Sequence, residues 1–144
     1  MSGNISFARS IGAIIASLLL VAFIDQTLER TLVMAMANAP IKDQQSYLAI
    51  RNQTGVLTII IVTHAMAALL TGYVLARLAG SHEVQHAAVA AAFVTLLLIG
   101  ASANPNVLVP PLWVRLTMAV VTLPAMITGA YIRGQARMIR EEQS

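Results

Sequence analysis

Between Val56 and Ala76 the chain runs for about 21 residues with His64 as its only side chain that ionises near neutral pH. At a rise of 1.5 Å per residue such a stretch is about 30 Å long as a helix, the thickness of a bilayer's hydrocarbon core. In hydrocarbon every backbone N–H and C=O needs a partner within the protein, and a helix supplies those partners within one segment. The segment therefore predicts a membrane-spanning helix.

Three other apolar blocks share this character. The first, Ile11 to Ile24, follows Arg9 and is about 14 residues long, short for a span of roughly 17 to 25. That length also suits the core of a signal peptide. The small-residue run Ala35, Met36, Ala37 that would imitate a cleavage site lies well past the block, beyond Asp25, Glu29 and Arg30. The block is therefore read as a retained helix, extended by the turn that carries Asp25 and Glu29. Thr31 to Gln53 is mixed and reads as a loop with a short interfacial helix. His86 to Ala103 is alanine-rich and ends at the turn signal Asn104, Pro105, Asn106. The last block follows Pro110 and Pro111, whose missing N–H groups cost nothing in a first helical turn, and runs to Ile132 with Pro124 as an expected kink.

These blocks predict helices over about 10–29, 55–77, 86–103 and 111–133 in a single membrane domain, 1–144. The short polar connection between the second and third makes them an antiparallel hairpin. The fold class is all-α, a four-helix transmembrane bundle of two antiparallel helical hairpins. Thr71, Gly72 and Arg77 are echoed by Thr128, Gly129 and Arg133, a faint sign of an internal duplication about an axis along the membrane normal. Trp113 and Tyr131 would lie about 27 Å apart on the last helix, one at each interface.

Composition agrees. The chain is 58% hydrophobic and 10% charged, against about 25% charged in soluble domains, which leaves too little polar surface to coat a globule in water. The absence of cysteine excludes disulfides, thiolate metal sites and a thiol nucleophile. The nine basic residues are scattered and mostly flank apolar blocks, so they read as membrane flanks and not as a nucleic-acid surface. With the N-terminus inside, Arg9, Arg77, Arg133, Arg137 and Arg140 face the cytoplasm, against Arg30, Lys42, Arg51 and Arg115 outside. The expected place is a bacterial inner membrane, with both termini cytoplasmic.

In the second block Ala68, Gly72, Ala76 and Gly80 recur every four residues, a ridge of small side chains that lets another helix approach closely. Its partner is a neighbouring helix, a second copy of the chain or another membrane protein. His64 lies one step earlier on the same stripe. It reads either as a proton relay or ligand contact, or as a neutral packing histidine bonded to a carbonyl or hydroxyl of the third or fourth block. No carboxylate in the last three blocks offers it a partner. Asp25 and Glu29 are four apart at the outer end of the first helix and read as a polar cap at the interface, with Arg115 as a possible ion-pair partner. His82 and His86, also four apart, read as loop histidines and not as a metal site. No nucleophile elbow, P-loop, HExxH or dinucleotide fingerprint occurs, so no enzymatic activity, cofactor or metal is expected.

The run GYVLARLAG from Gly72 to Gly80, the His-bearing turn, the alanine-rich helix, and the last helix opened by PLW and closed by TGAYIR resemble a group of small four-helix bacterial membrane proteins. The resemblance covers most of the chain and carries no activity over. Small multidrug exporters and fluoride channels have similar size, but the early intramembrane glutamate of the exporters has no counterpart here. The functional expectation is a structural or accessory role in a membrane complex or homo-oligomer assembled through the second helix. The alternative is a transporter or channel subunit for a small solute or protons that uses His64.

Single cysteines introduced at Ser2, Ser81 and Ser144 should be labelled by a membrane-impermeant maleimide only from the cytoplasmic side, and those at Ser46 and Asn106 only from the opposite side. Labelling of Ser46 and Ser81 from the same side would overturn the predicted topology.

Overall fold

The first apolar block does not end at Glu29. In the computed structural model, which describes residues 2–38, 40–80, 82–100 and 110–143 and only the backbone of 2–8 and 141, it forms α1, Ser2–Met36. Helix α2, Gln44–Arg51, follows, then α3, Thr54–Ala79, α4, Glu83–Gly100, and α5, Leu112–Glu142. The described residues contain no strand. Four helices, all but α2, are long and apolar enough to cross a membrane. Their outward side chains, among them Phe23, Met66, Leu96 and Val120, are exposed and apolar. Such a continuous apolar coat suits lipid.

Several helix ends differ from those the sequence predicts. Helix α1 runs seven residues past the expected end at 29, because Asp25 and Glu29 find partners from other helices and need not stop it. Helix α5 continues through Pro124 and well beyond 133, carrying the basic tail as helix. The expected end of the third block at 101–103, the turn at Asn104, Pro105 and Asn106, and the labelling positions Ser81 and Ser144 lie outside the described residues.

Local chemistry sets the other ends. Asp43, in extended backbone, caps α2 by accepting the Ser46 N–H at 2.7 Å. That bond also holds the Asp43 carboxyl below its ordinary 3.8. The cap's contribution is therefore present above the unfolded value and fades as pH falls through the folded one. Helix α3 ends where Gly80 turns left-handed at φ 74° and returns its N–H to Ala76 O at 3.2 Å. Gly80 is thus the cap of α3 and not the fourth step of its packing ridge. Two arginines hold this turn. Arg9 Nε donates to Leu78 O at 2.8 Å and Arg137 Nη1 to Gly80 O at 3.2 Å, with Glu83 Oε1 3.4 Å from the same nitrogen.

Although α3 and α4 are joined by the short turn, each packs more extensively on α5 than on the other, and α1 lies against α3. Up-and-down connectivity makes α3 and α5 parallel. Their approach is set by two glycines. A Cβ on Gly72 would run into Met126 O, and a Cβ on Gly129 would run into Leu69 O. The relation is reciprocal, since each glycine meets the carbonyl three residues before the other. The echo of Thr71–Gly72 in Thr128–Gly129 is the crossing point itself. Ala68 and Ala76 are fully buried, so the ridge is occupied within the chain, chiefly by α5.

Gly72→Leu and Gly129→Leu should each destabilise the fold by several kcal/mol, as overpacking against backbone does, because a carbonyl cannot move aside as a side chain can. Gly55→Ala, where a Cβ meets nothing within 4 Å, should change little. Thermal unfolding in detergent gives the comparison, and equal tolerance of all three would remove the crossing as the organising contact.

Candidate functional site

Ten residues into α3, about 15 Å along the helix, His64 is buried with 1% of its surface exposed. Both ring nitrogens are engaged. Nδ1 lies 2.8 Å from Asp25 Oδ2 on α1, and Nε2 lies 2.8 Å from Thr122 Oγ1 on α5. The Thr122 hydroxyl in turn donates to Met118 O at 2.7 Å, one turn back in its own helix. Three helices thus each supply one member of a polar layer. On one side of it lies the apolar cluster of Val33, Val56, Leu57, Ile60, Val114 and Met118. On the other lies a larger one that includes Ala67, Ala68, Leu75, Ala76 and Met126.

The carboxylate partner of His64 comes from the first helix, where the sequence reading had placed only an interfacial cap. Asp25 and Glu29, expected to act as one cluster with Arg115, serve two separate sites. Glu29 faces α2. Its Oε1 lies 2.7 Å from Arg51 Nε and accepts from Tyr47 Oη at 3.1 Å, and its Oε2 accepts from Arg51 Nη2 at 3.2 Å. Arg51 is only 3% exposed, and its Nη1 has no hydrogen-bond partner. Arg115, also buried, donates from Nε to Pro110 O at 3.0 Å. Tyr47 and Arg51 could not be read as site residues from the sequence, because only the folding back of α2 brings them to Glu29. Thr122 carried no signal in the sequence beyond a hydroxyl inside an apolar block, seven residues before Gly129.

A cavity of about 220 Å³ reaches this layer, bordered by Asp25, Gln26, His64, Leu98, Pro110 and Arg115. A second hollow of about 430 Å³ lies between α1 and α2, and Gln26 borders both. Gln26 thus stands between the hollow at the α2 end and the largely apolar cavity beside Asp25 and His64. In the other direction Ser17 and Thr71 are the buried polar side chains on α1 and α3. Ser17 closes its hydroxyl on Ile14 O at 2.7 Å and the Thr71 hydroxyl has no partner, so no hydrogen-bond chain leads from the layer to the α3–α4 turn among the described residues.

Trp113 and Tyr131 point outward from α5, each about half exposed. His86 Nδ1 donates to the backbone carbonyl of His82 at 2.9 Å. Among the described residues no three His, Asp or Glu side chains converge as a metal site would require. Compared with protein-family models, curated proteins and solved structures, the chain matches none, so the site rests on its own geometry.

Partial burial, and then the charge of Glu29, push the Tyr47 phenol above its ordinary 10.0. A raised folded value favours the neutral phenol in the native state. The stability it contributes is complete below pH 10.0 and is lost as pH rises through the folded value. In a background with Tyr73 and Tyr131 replaced by Phe, phenolate absorbance should appear above pH 10.0. Glu29→Gln should lower that midpoint without restoring the ordinary one, because burial remains. A midpoint at or below the ordinary value in the parent protein would contradict the Tyr47–Glu29 contact.

Proposed function

We propose that this chain is a small multi-pass protein of the bacterial inner membrane, with both termini cytoplasmic, that takes up and releases a proton at the Asp25–His64–Thr122 layer. It would serve as a proton-translocating or proton-coupled transport subunit for a small solute. The supporting observation is the count of hydrogens in the network. A hydroxyl has one proton to give, and while Thr122 gives it to Met118 O, the contact at Nε2 requires His64 to be the donor there. The contact at Nδ1 then holds one further proton between His64 and Asp25. If Thr122 rotates to donate to Nε2, the His64–Asp25 pair holds one proton fewer. Two arrangements of the same three side chains therefore differ by one proton, and a hydroxyl rotation of small cost separates them.

Ionisable groups at membrane depth are costly, and those facing a cavity mark ion and proton pathways more often than packing sites. Asp25, 25% exposed, and His64 border a cavity lined by α1, α3 and α4 and by Pro110 and Arg115. The layer lies ten residues from the α2 end of α3, the end that is periplasmic on the proposed topology. The network forms within one copy of the chain, so the site needs no second protomer to be complete.

A structural or accessory role is the second reading, supported by the apolar stripe of Val89, Phe93 and Leu96 on the exposed side of α4. It does not rest on the α3 ridge, which α5 occupies. Proteoliposomes separate the two. With a pH-sensitive dye inside and a potassium diffusion potential imposed, the parent protein should acidify or alkalinise the lumen faster than empty vesicles. Asp25→Asn and His64→Gln should abolish the difference while retaining folded protein. Absence of flux in every variant, with His64→Leu less stable than His64→Gln, is the result a packing histidine would give and would overturn the transport reading.

A further inference from the structure

The hollow between α1 and α2 carries features that the proton layer does not use. Arg51 is buried there, and Glu29 accepts from or pairs with its Nε and Nη2, leaving Nη1 without an acceptor. A buried guanidinium N–H without an acceptor is costly, and the cost is removed by any oxygen placed against it. Arg30 also lines the hollow, is exposed, and has no hydrogen bond or ion pair among the described residues. Two arginines face one carboxylate across the hollow, and the remaining lining is uncharged, so the hollow has an excess of one positive charge. Gln26 and Gln44 bring amide donors to the same wall.

We propose that this hollow binds a small oxyanion, a carboxylate or phosphate group, between Arg51 and Arg30. Arg51 is held by the two-point contact with Glu29 and lines the hollow with its Nη1 shielded from solvent, so that the anion meets this N–H as the lining shifts around it, while Arg30 closes over the anion from the exposed side. The guanidinium fork suits planar or tetrahedral oxygen pairs. At about 430 Å³ the hollow has the size of sites that enclose small metabolites. Its place at one end of the bundle admits two sources of the same chemistry, a free anion or the phosphate of a lipid headgroup. Gln26, which borders both spaces, sets the bound anion next to the cavity that reaches Asp25 and His64. The binding site does not rest on the proton reading and is tested without any flux measurement.

The full chain is placed in nanodiscs of phosphatidylcholine, and its thermal midpoint is followed against sodium acetate and sodium phosphate, with sodium chloride at matched ionic strength as the reference. A parallel set uses nanodiscs containing phosphatidic acid. A saturable rise with acetate or phosphate in phosphatidylcholine identifies a free anion as occupant, and a rise seen only with phosphatidic acid identifies the lipid headgroup. In either case Arg30→Gln should weaken the response at least about tenfold, the loss expected of one charge-assisted hydrogen bond. The double substitution Glu29→Gln with Arg51→Gln, which removes both charges of the buried pair together, should abolish the response. Should that double variant fail to fold, Arg30→Gln decides alone, since Arg30 is exposed and has no hydrogen bond or ion pair among the described residues. Responses no greater than those to chloride in both lipids, or an undiminished response in Arg30→Gln, would overturn the site.

Discussion

The backbones of α3 and α5 touch at Gly72 and Gly129, and the positions of the other polar groups follow from that contact. His64 precedes Gly72 by eight residues and Thr122 precedes Gly129 by seven. Both lie about two helical turns from the crossing, and in parallel helices that places them at nearly the same height. A side chain at either glycine would separate the helices by more than a hydrogen bond tolerates. The 2.8 Å contact between His64 and Thr122 is therefore a consequence of two missing Cβ atoms.

The Asp25–His64–Thr122 layer divides an otherwise apolar interior into two clusters. A half-buried carboxylate and a buried imidazole would each be expensive in this setting. Their mutual contact, and the placement of Asp25 beside a cavity, keep the cost within what apolar burial on either side can offset. The α2 end of the bundle is the polar one, with Arg51, Tyr47 and Glu29 tied together and hollows on either side of Gln26. The opposite half is closed by small side chains, Ala67, Ala68, Ala76, Ala87, Ala90, Ala91 and Ala130, with no polar route between them among the described residues.

Hydropathy made the four long helices legible, because a bilayer demands long uncharged segments and the chain has few charges to place. It also exposed the small-residue stripe on α3 and the unusual position of His64. The end of α1 was harder to read. Asp25 and Glu29 look like a boundary when only neighbours in sequence are considered, whereas α3 and α2 supply their partners from 39 and 22 residues away. The continuing apolar run Thr31 to Ala37 was the local sign that the helix goes on. Gly80 fitted the four-residue period by number alone, and its left-handed backbone removes it from the helix. The contribution of α2 was beyond reach, since an eight-residue amphipathic segment does not announce which side chain it will fold onto.

Because the crossing of α3 and α5 is backbone against backbone, it has no side chains that could slide or exchange rotamers. The two helices behave mechanically as one spine, with α1 and α4 as flanks. His64 and Thr122 both belong to the spine, but Asp25 belongs to a flank. Any rocking of α1 against the spine is therefore taken up at two polar contacts, His64 Nδ1 to Asp25 Oδ2 near the α2 end and Arg9 Nε to Leu78 O at the other. Stretching the first by an ångström while Arg9 keeps the second would leave the imidazole attached to Thr122 and the carboxylate facing its cavity, so α1 pivots about its Arg9 end.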